Sequence, residues 1–292
     1  MSLLTNGAFT IANRVDVNGA TDSIRTIGGN TAHTSTFSGF INPNSGVDLR
    51  FVAANGGRAN FTGTMSSGGT TRPLKIEAQP NGIVALAAAG GFGITRPVNV
   101  NSGTLLILNS SGSGAGSGAV TVASGAALGG TGIQTSAITA STATSILTPG
   151  DIDTGGDSQI GNLRLHGGLT ANSGATFNFD INNASIDTID FSAAALSLGG
   201  TATFNFTNLG TVLTGTPYDL FTGTGAWSGS PTFAFNAPAG YMLDLSYGDG
   251  DGYDWNPGAN ELSVQFAVIP EPASVVLTVG GAAIVVLRRR RD

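Results

Sequence analysis

A phrase of a small polar residue, a glycine, a small residue and an apolar residue recurs along the chain. It reads VNGAT at 17–21, VNSGTL at 100–105, VASGAAL at 122–128 and TANSGATF at 170–177. Gly103 and Gly125 stand 22 positions apart, and Gly174 and Gly200 stand 26 apart. Recurrence at this interval constrains the fold strongly. A unit of that length buries its apolar face only against neighbouring units, so the chain is expected to coil and stack. The glycines then mark corners where the backbone needs positive φ.

Between the glycine, asparagine and serine clusters lie runs of four to eight apolar or alternating residues, which read as strands separated by turns. Examples are TLLILN (104–109), AVTVA (119–123), ATFNFDI (175–181), TATFNFT (201–207), PTFAFN (231–236) and ELSVQFAVI (261–269). Phe177, Phe179 and Ile181 sit two apart, as do Phe204 and Phe206, so these residues share the core face while Asn178 and Asn205 take the other. Composition agrees. With 45 glycines among 292 residues and only 10% charged side chains, ordinary helices are disfavoured. The 40% hydrophobic content is enough to bury a core.

The expected fold is all-β: a right-handed parallel β-helix or related β-solenoid over residues 1–165. A β-rich cap or sandwich follows over 166–268, where the strands are longer and more aromatic. At about 20 residues per coil the chain before the tail makes on the order of 13 coils, a rod about 60 Å long. One or two β-sandwiches are the alternative, since they also place strands at short, regular spacing. The stretches at 100–133, 146–152 (ILTPGDI) and 160–181 resemble the autotransporter-associated β-strand repeat and the segment that follows it. TNGAFTIANRVDVNG (5–19) and STFSGFI (35–41) are similar to earlier coils of such proteins. The resemblance implies a β-helical stalk displayed outside the cell, and no catalytic residue.

The end of the chain, IPEPASVVLTVGGAAIVVLRRRR, is of a different kind. Ala273 to Leu287 are 15 uncharged residues, about 22 Å as a helix, short against a hydrocarbon core of about 30 Å. Arg288, Arg289, Arg290 and Arg291 would hold its end in the cytoplasm and leave the rest outside. Pro270-Glu271-Pro272, the apolar segment and the arginine cluster together resemble a PEP-CTERM sorting signal of Gram-negative bacteria. That resemblance implies export, an exosortase-type membrane enzyme as partner, cleavage near the Pro-Glu-Pro, membrane contact through 273–287, and association with extracellular polysaccharide. Both prolines resist helix and keep this segment extended. An exported chain is also expected to open on a basic, apolar signal peptide, whereas MSLLTNGAFTIANRV has no basic residue before Arg14. It reads instead like the middle of a repeat array.

Charge and residue counts exclude several chemistries. The net charge is −6, and residues 1–287 hold 8 Lys and Arg against 17 Asp and Glu, a net of −9. Such a body is not built to neutralise nucleic acid phosphates. There is no cysteine, hence no disulfide and no thiolate metal site. YGDGDGYDW (247–255) gathers Asp249, Asp251 and Asp254, and TPGDIDTGGD (148–157) gathers Asp151, Asp153 and Asp157, but neither has an EF-hand spacing, and both read as turns. A polysaccharide lyase or hydrolase would need paired carboxylates or a basic proton acceptor. Lys75 is the only lysine, His33 and His166 are far apart, and no G-x-S-x-G elbow occurs. Trp227, Tyr241, Tyr247, Tyr253 and Trp255 could stack on sugars from an exposed face, though core packing is their commoner role. The expectation is therefore an exported, non-catalytic surface or matrix protein without metal or cofactor, structural or adhesive in role, with a lyase, hydrolase or carbohydrate-binding module as the alternatives.

Overall fold

The computed structural model describes residues 1–43, 46–66, 72–152 and 158–270. Every regular element among them is a strand. One face of the molecule is a ten-stranded parallel sheet running from Ser2–Thr5 through Ile24–Gly29, Val98–Ser102 and Ile138–Ala140 to Trp227–Ser228. A second face stacks strands from Thr10–Ile11 through Ile83–Leu86, Thr104–Ile107 and Ile146–Pro149 to Thr232–Asn236 in the same order. Each coil contributes one strand to each of these faces, which is the defining feature of a β-solenoid.

Inward residues form ladders along the axis. On the second face one ladder runs Ser35, Ala59, Val84, Leu105, Leu128, Leu147, Phe177, Phe204, Phe235, each paired with the next. Burying such a ladder against the opposite face is the main source of stability, at about 25 cal/mol per Å² of apolar surface. The alternation read from TFNFDI and TFNFT holds: Phe177, Phe179, Ile181, Phe204 and Phe206 are buried, and Asn178 and Asn205 point outward. Gly103, Gly125, Gly174 and Gly200 all have positive φ, 68°, 71°, 86° and 57°. At 100–105, 122–128 and 170–177 the recurring phrase is thus the corner between the first two faces, whereas VNGAT at 17–21 lies between Val15–Val17 and Ile24–Gly29 and Gly19 has no positive φ.

The third face is less regular. Val15–Val17 pairs with Ile41–Pro43, and single bridges join Ile41 to Met65 and Gly91 to Ser113. From Ile133–Gln134 onward it becomes a true sheet through Asn162–Leu165, Thr188–Asp190 and Tyr218–Thr222. Where strands are missing, buried side chains supply the hydrogen bonds. Asn109 Oδ1 accepts from the Ile133 amide at 2.9 Å, and Gln134 Oε1 accepts from the Ala115 amide at 2.8 Å.

Two expectations change in detail. Coils are longer and more variable than about 20 residues: paired positions on the first face are 24 apart at Ile24↔Asp48, 18 apart at Val120↔Ile138 and 31 apart at Ile138↔Leu169. Among the described residues the stack therefore holds ten strands along the path of each main face, with one side strand on the second, rather than about 13 coils. Moreover, the sheets cross residue 165 without a break, since Leu169–Ala171 pairs directly with Ile138–Ala140. The parallel coils continue to Asn236, and a smaller antiparallel cap follows. In that cap Tyr241–Leu243 pairs with Phe266–Val268, and Tyr253–Asn256 pairs with Glu261–Val264, which closes the third sheet against Tyr218–Thr222.

Candidate functional site

Of the tail residues singled out in the sequence, Pro270 is described and exposed, immediately after the cap, where the Ile269 amide donates to the Gly240 carbonyl. Glu271, Pro272, Arg288, Arg289, Arg290, Arg291 and the apolar segment 273–287 lie outside the described residues. Among the described residues no helix is long and apolar enough to cross a membrane.

The candidate chemical groups are mostly engaged within the fold. Lys75 Nζ donates to Asp48 Oδ2 at 2.8 Å, and Arg50 bridges Asp48 and Glu77, forming a charged row on the outside of the first face. Although burial opposes it, the cations beside Asp48 hold its carboxyl below the ordinary range. His33 is exposed. His166 Nε2 lies 3.1 Å from Asp190 Oδ2, one coil away, and Asp190 also accepts from the Ser192 amide. That pair was missed because its partners are 24 residues apart and share no local motif. No serine or threonine hydroxyl contacts the His166 ring among the described residues.

Asp180 and Asp187 stand together on the distal second face. Burial pushes Asp187 up to about 8, and the neighbouring Asp180 charge adds to the shift. A protonated carboxyl beside a second carboxylate is the arrangement of an acid catalyst. Here, however, Asp187 is 1% exposed, with Oδ1 accepting from the Gly161 amide at 2.7 Å and Oδ2 from the Asp180 amide at 2.9 Å. Both oxygens are spent on fixing backbone, so the group ties the turn at 183–187 to Gly161 of the preceding coil and to the strand at Asp180.

Among the described residues no group of three or more His, Asp or Glu is placed to bind an ion. Asp251 accepts from the Tyr253 amide in the cap turn. Asp153 and Asp157 lie outside the described residues. Asp151 accepts from Arg58, 93 positions earlier, at 3.0 Å. This contact reveals a feature that the repeats conceal. After Ile146–Pro149 the chain turns at Gly150 (φ 89°), and Asp151–Ile152 pairs antiparallel with Ser158–Gln159 in a hairpin over the outside of the second face. Ile152 sits on outward residues Ile83, Ala85, Leu106 and Leu108, a small apolar cluster separate from the main core. Arg58 Nη1 also donates to the Ile152 carbonyl at 3.0 Å, clamping the hairpin. The unbroken apolar runs IVALAAA (83–89) and TLLIL (104–108) are the sequence signal for this cover, because continuous rather than alternating runs mark strands buried on both faces.

Beyond the hairpin, a groove of about 330 Å³ opens on the same face, lined by Thr148, Ile152, Asn178, Asp180, Asn205, Thr207 and Leu209. The aromatic residues of the distal third do not line it. Trp227 is buried and stacks on Trp255 at 5.8 Å, and Phe233 and Phe235 lie against Tyr253. They seal the end of the core. No protein-family model matches this chain, and no curated protein matches its sequence.

Proposed function

We propose that this is an exported, non-catalytic surface or extracellular-matrix protein of a Gram-negative cell, structural and adhesive in role and associated with exopolysaccharide. The observation that carries the reading is the engagement of the chemically able side chains in the fold: Lys75, His166, Asp187 and Asp151 each serve a neighbouring strand or hairpin. A stacked coil with outward rows of amides and hydroxyls offers surface rather than a reaction centre. The resemblance of residues 269–292 to a PEP-CTERM signal supplies the route. An exosortase-type enzyme recognises Pro270-Glu271-Pro272, residues 273–287 enter the membrane, and Arg288–Arg291 fix the orientation. The exposed position of Pro270 directly after the cap supports access by such an enzyme.

Mass-spectrometric mapping of the C-terminus in fractionated cells tests this reading. A surface or extracellular form ending near Pro270–Pro272 is the expected result. A full-length chain in the soluble cytoplasm overturns it. Release of unsaturated or reducing-end products from a purified polysaccharide would overturn the non-catalytic part.

A further inference from the structure

The groove on the second face has a repeating floor. Asn178 and Asn205 line it in register on consecutive strands, Thr148 precedes them on the strand before, and Asn236 continues the row on the next strand, beyond the groove. Successive amides therefore stand one strand spacing apart, about 4.8 Å. They are tied head to tail: Asn236 Nδ2 donates to Asn205 Oδ1 at 2.7 Å, and Asn205 Nδ2 donates to Asn178 Oδ1 at 2.9 Å. This ladder fixes the side chains before any ligand arrives, which lowers the ordering cost of binding.

A carboxamide carries two N–H donors and an oxygen with two lone pairs. The ladder uses one donor and one lone pair of Asn205, so a further donor and acceptor remain at the same fixed step. The walls differ from the floor. Ile152 of the hairpin contributes to the lining, as do Leu209, 37% exposed, and Thr207 at the overhang of Thr201–Val212. No lysine or arginine lines the groove, Asp180 does, and the body of the chain is acidic.

We propose that this groove binds a neutral glycan chain lying along the solenoid axis. A pyranose chain presents hydroxyls at its edges and C–H groups on its faces, and repeats at a length comparable to the coil spacing. Amides on the floor meet the hydroxyls, Ile152 and Leu209 meet the C–H surfaces, and the local negative charge discriminates against uronate polymers. The site rests on the exopolysaccharide reading above and gives it a place on the molecule.

Calorimetric titration of the full chain with a β-1,4-linked glucose hexasaccharide, and with an oligogalacturonate of equal length, tests the assignment. Saturable binding of the neutral chain and none of the anionic one is expected. Asn205→Ala should weaken binding about tenfold, the loss of one or two hydrogen bonds, while Asn99→Ala on the first face leaves it unchanged. Thr207→Val, at the exposed rim, should weaken it with an unchanged urea midpoint, which separates binding from folding. Wild-type affinity in both Asn205→Ala and Thr207→Val, or tighter binding of the anionic chain, overturns the groove. Failure of the wild type to bind the hexasaccharide also overturns it. Retention of the wild type on the polysaccharide secreted by the producing cells would then leave the broader reading standing, and loss of that retention would remove both.

Discussion

The proximal and distal halves of the coil stack obey the same register yet differ in what they bury and where they spend residues. Along the inward ladder of the second face, Ala59, Val84, Leu105 and Leu128 give way to Phe177, Phe204 and Phe235. In the proximal half the step between coils stays at 18 to 26 residues, as at Val120↔Ile138 and Thr10↔Thr36. Distally it rises to 27 at Leu169↔Leu196 and 31 at Leu196↔Trp227. The extra residues go to excursions from the coil, namely the antiparallel pair Asp151–Ile152 and Ser158–Gln159, the turn at 183–187 and the overhang beyond Thr207. The first and the last of these excursions line the groove, through Ile152 and through Thr207 and Leu209. A strict repeat makes a uniform rod, whereas departures from the repeat make a site.

The comparison is most directly sharpened through the two cores. Phe204 touches Phe177, Phe179, Phe221, Phe233 and Phe235 with ring centroids 4.9 to 6.1 Å apart. Phe204→Ala should cost about 4 kcal/mol and Leu105→Ala about 3 kcal/mol, measured by urea denaturation. Equal costs would mean that the distal half has room to collapse around its cavity.

Asp187 makes the distal half sensitive to pH. Its native carboxyl titrates near 8, whereas in the unfolded chain it should titrate at about 4. Between these values the native state holds a proton that the unfolded state has lost, so stability falls as pH rises through the window. The slope should be at most about 1.4 kcal/mol per pH unit. Asp187→Asn removes the titration and should flatten the dependence of the urea midpoint between pH 5 and 8. An unchanged slope in the variant would assign the dependence to other groups.

Corner glycines probe the same contrast at lower energy. A Cβ at Gly174 would collide with the Thr201 carbonyl of the next coil, whereas one at Gly125 meets nothing within 4 Å. Both carry positive φ, so Gly125→Ala should cost about 1 kcal/mol from backbone strain alone and Gly174→Ala about 2 kcal/mol or more. Similar melting temperatures for the two would show that coil spacing yields at the corners. The smallest effect belongs to the clamp. Arg58→Ala should cost about 1 kcal/mol, yet it should raise proteolysis within 150–160 before the coils are cut, because the hairpin loses its tether to the proximal half.

Much of this fold was legible in the chain. Glycines at recurrent intervals placed the corners, and alternation in TFNFDI and TFNFT assigned the inward phenylalanines, because both depend on local backbone geometry and a period of two. The length of each coil was not legible, since a coil closes wherever the next strand finds register, and excursions of any length are tolerated outside it. Nor was the site. The Arg58–Asp151 clamp joins residues 93 apart, and His166–Asp190 and Asn178–Asn205 are neighbours only because the coils stack.

The sequence by itself determined the all-β character, the corner positions, the polar-out and apolar-in pattern and the distinct character of residues 269–292. Each of these is a short-range property of composition and spacing. The tertiary structure alone decided that the stack runs on to Asn236, that the distal aromatics seal its end, and that the acidic segment at 150–152 folds back over the second face. Those outcomes depend on which coil lands on which, and burial against a neighbour one or more turns away is what selects among them.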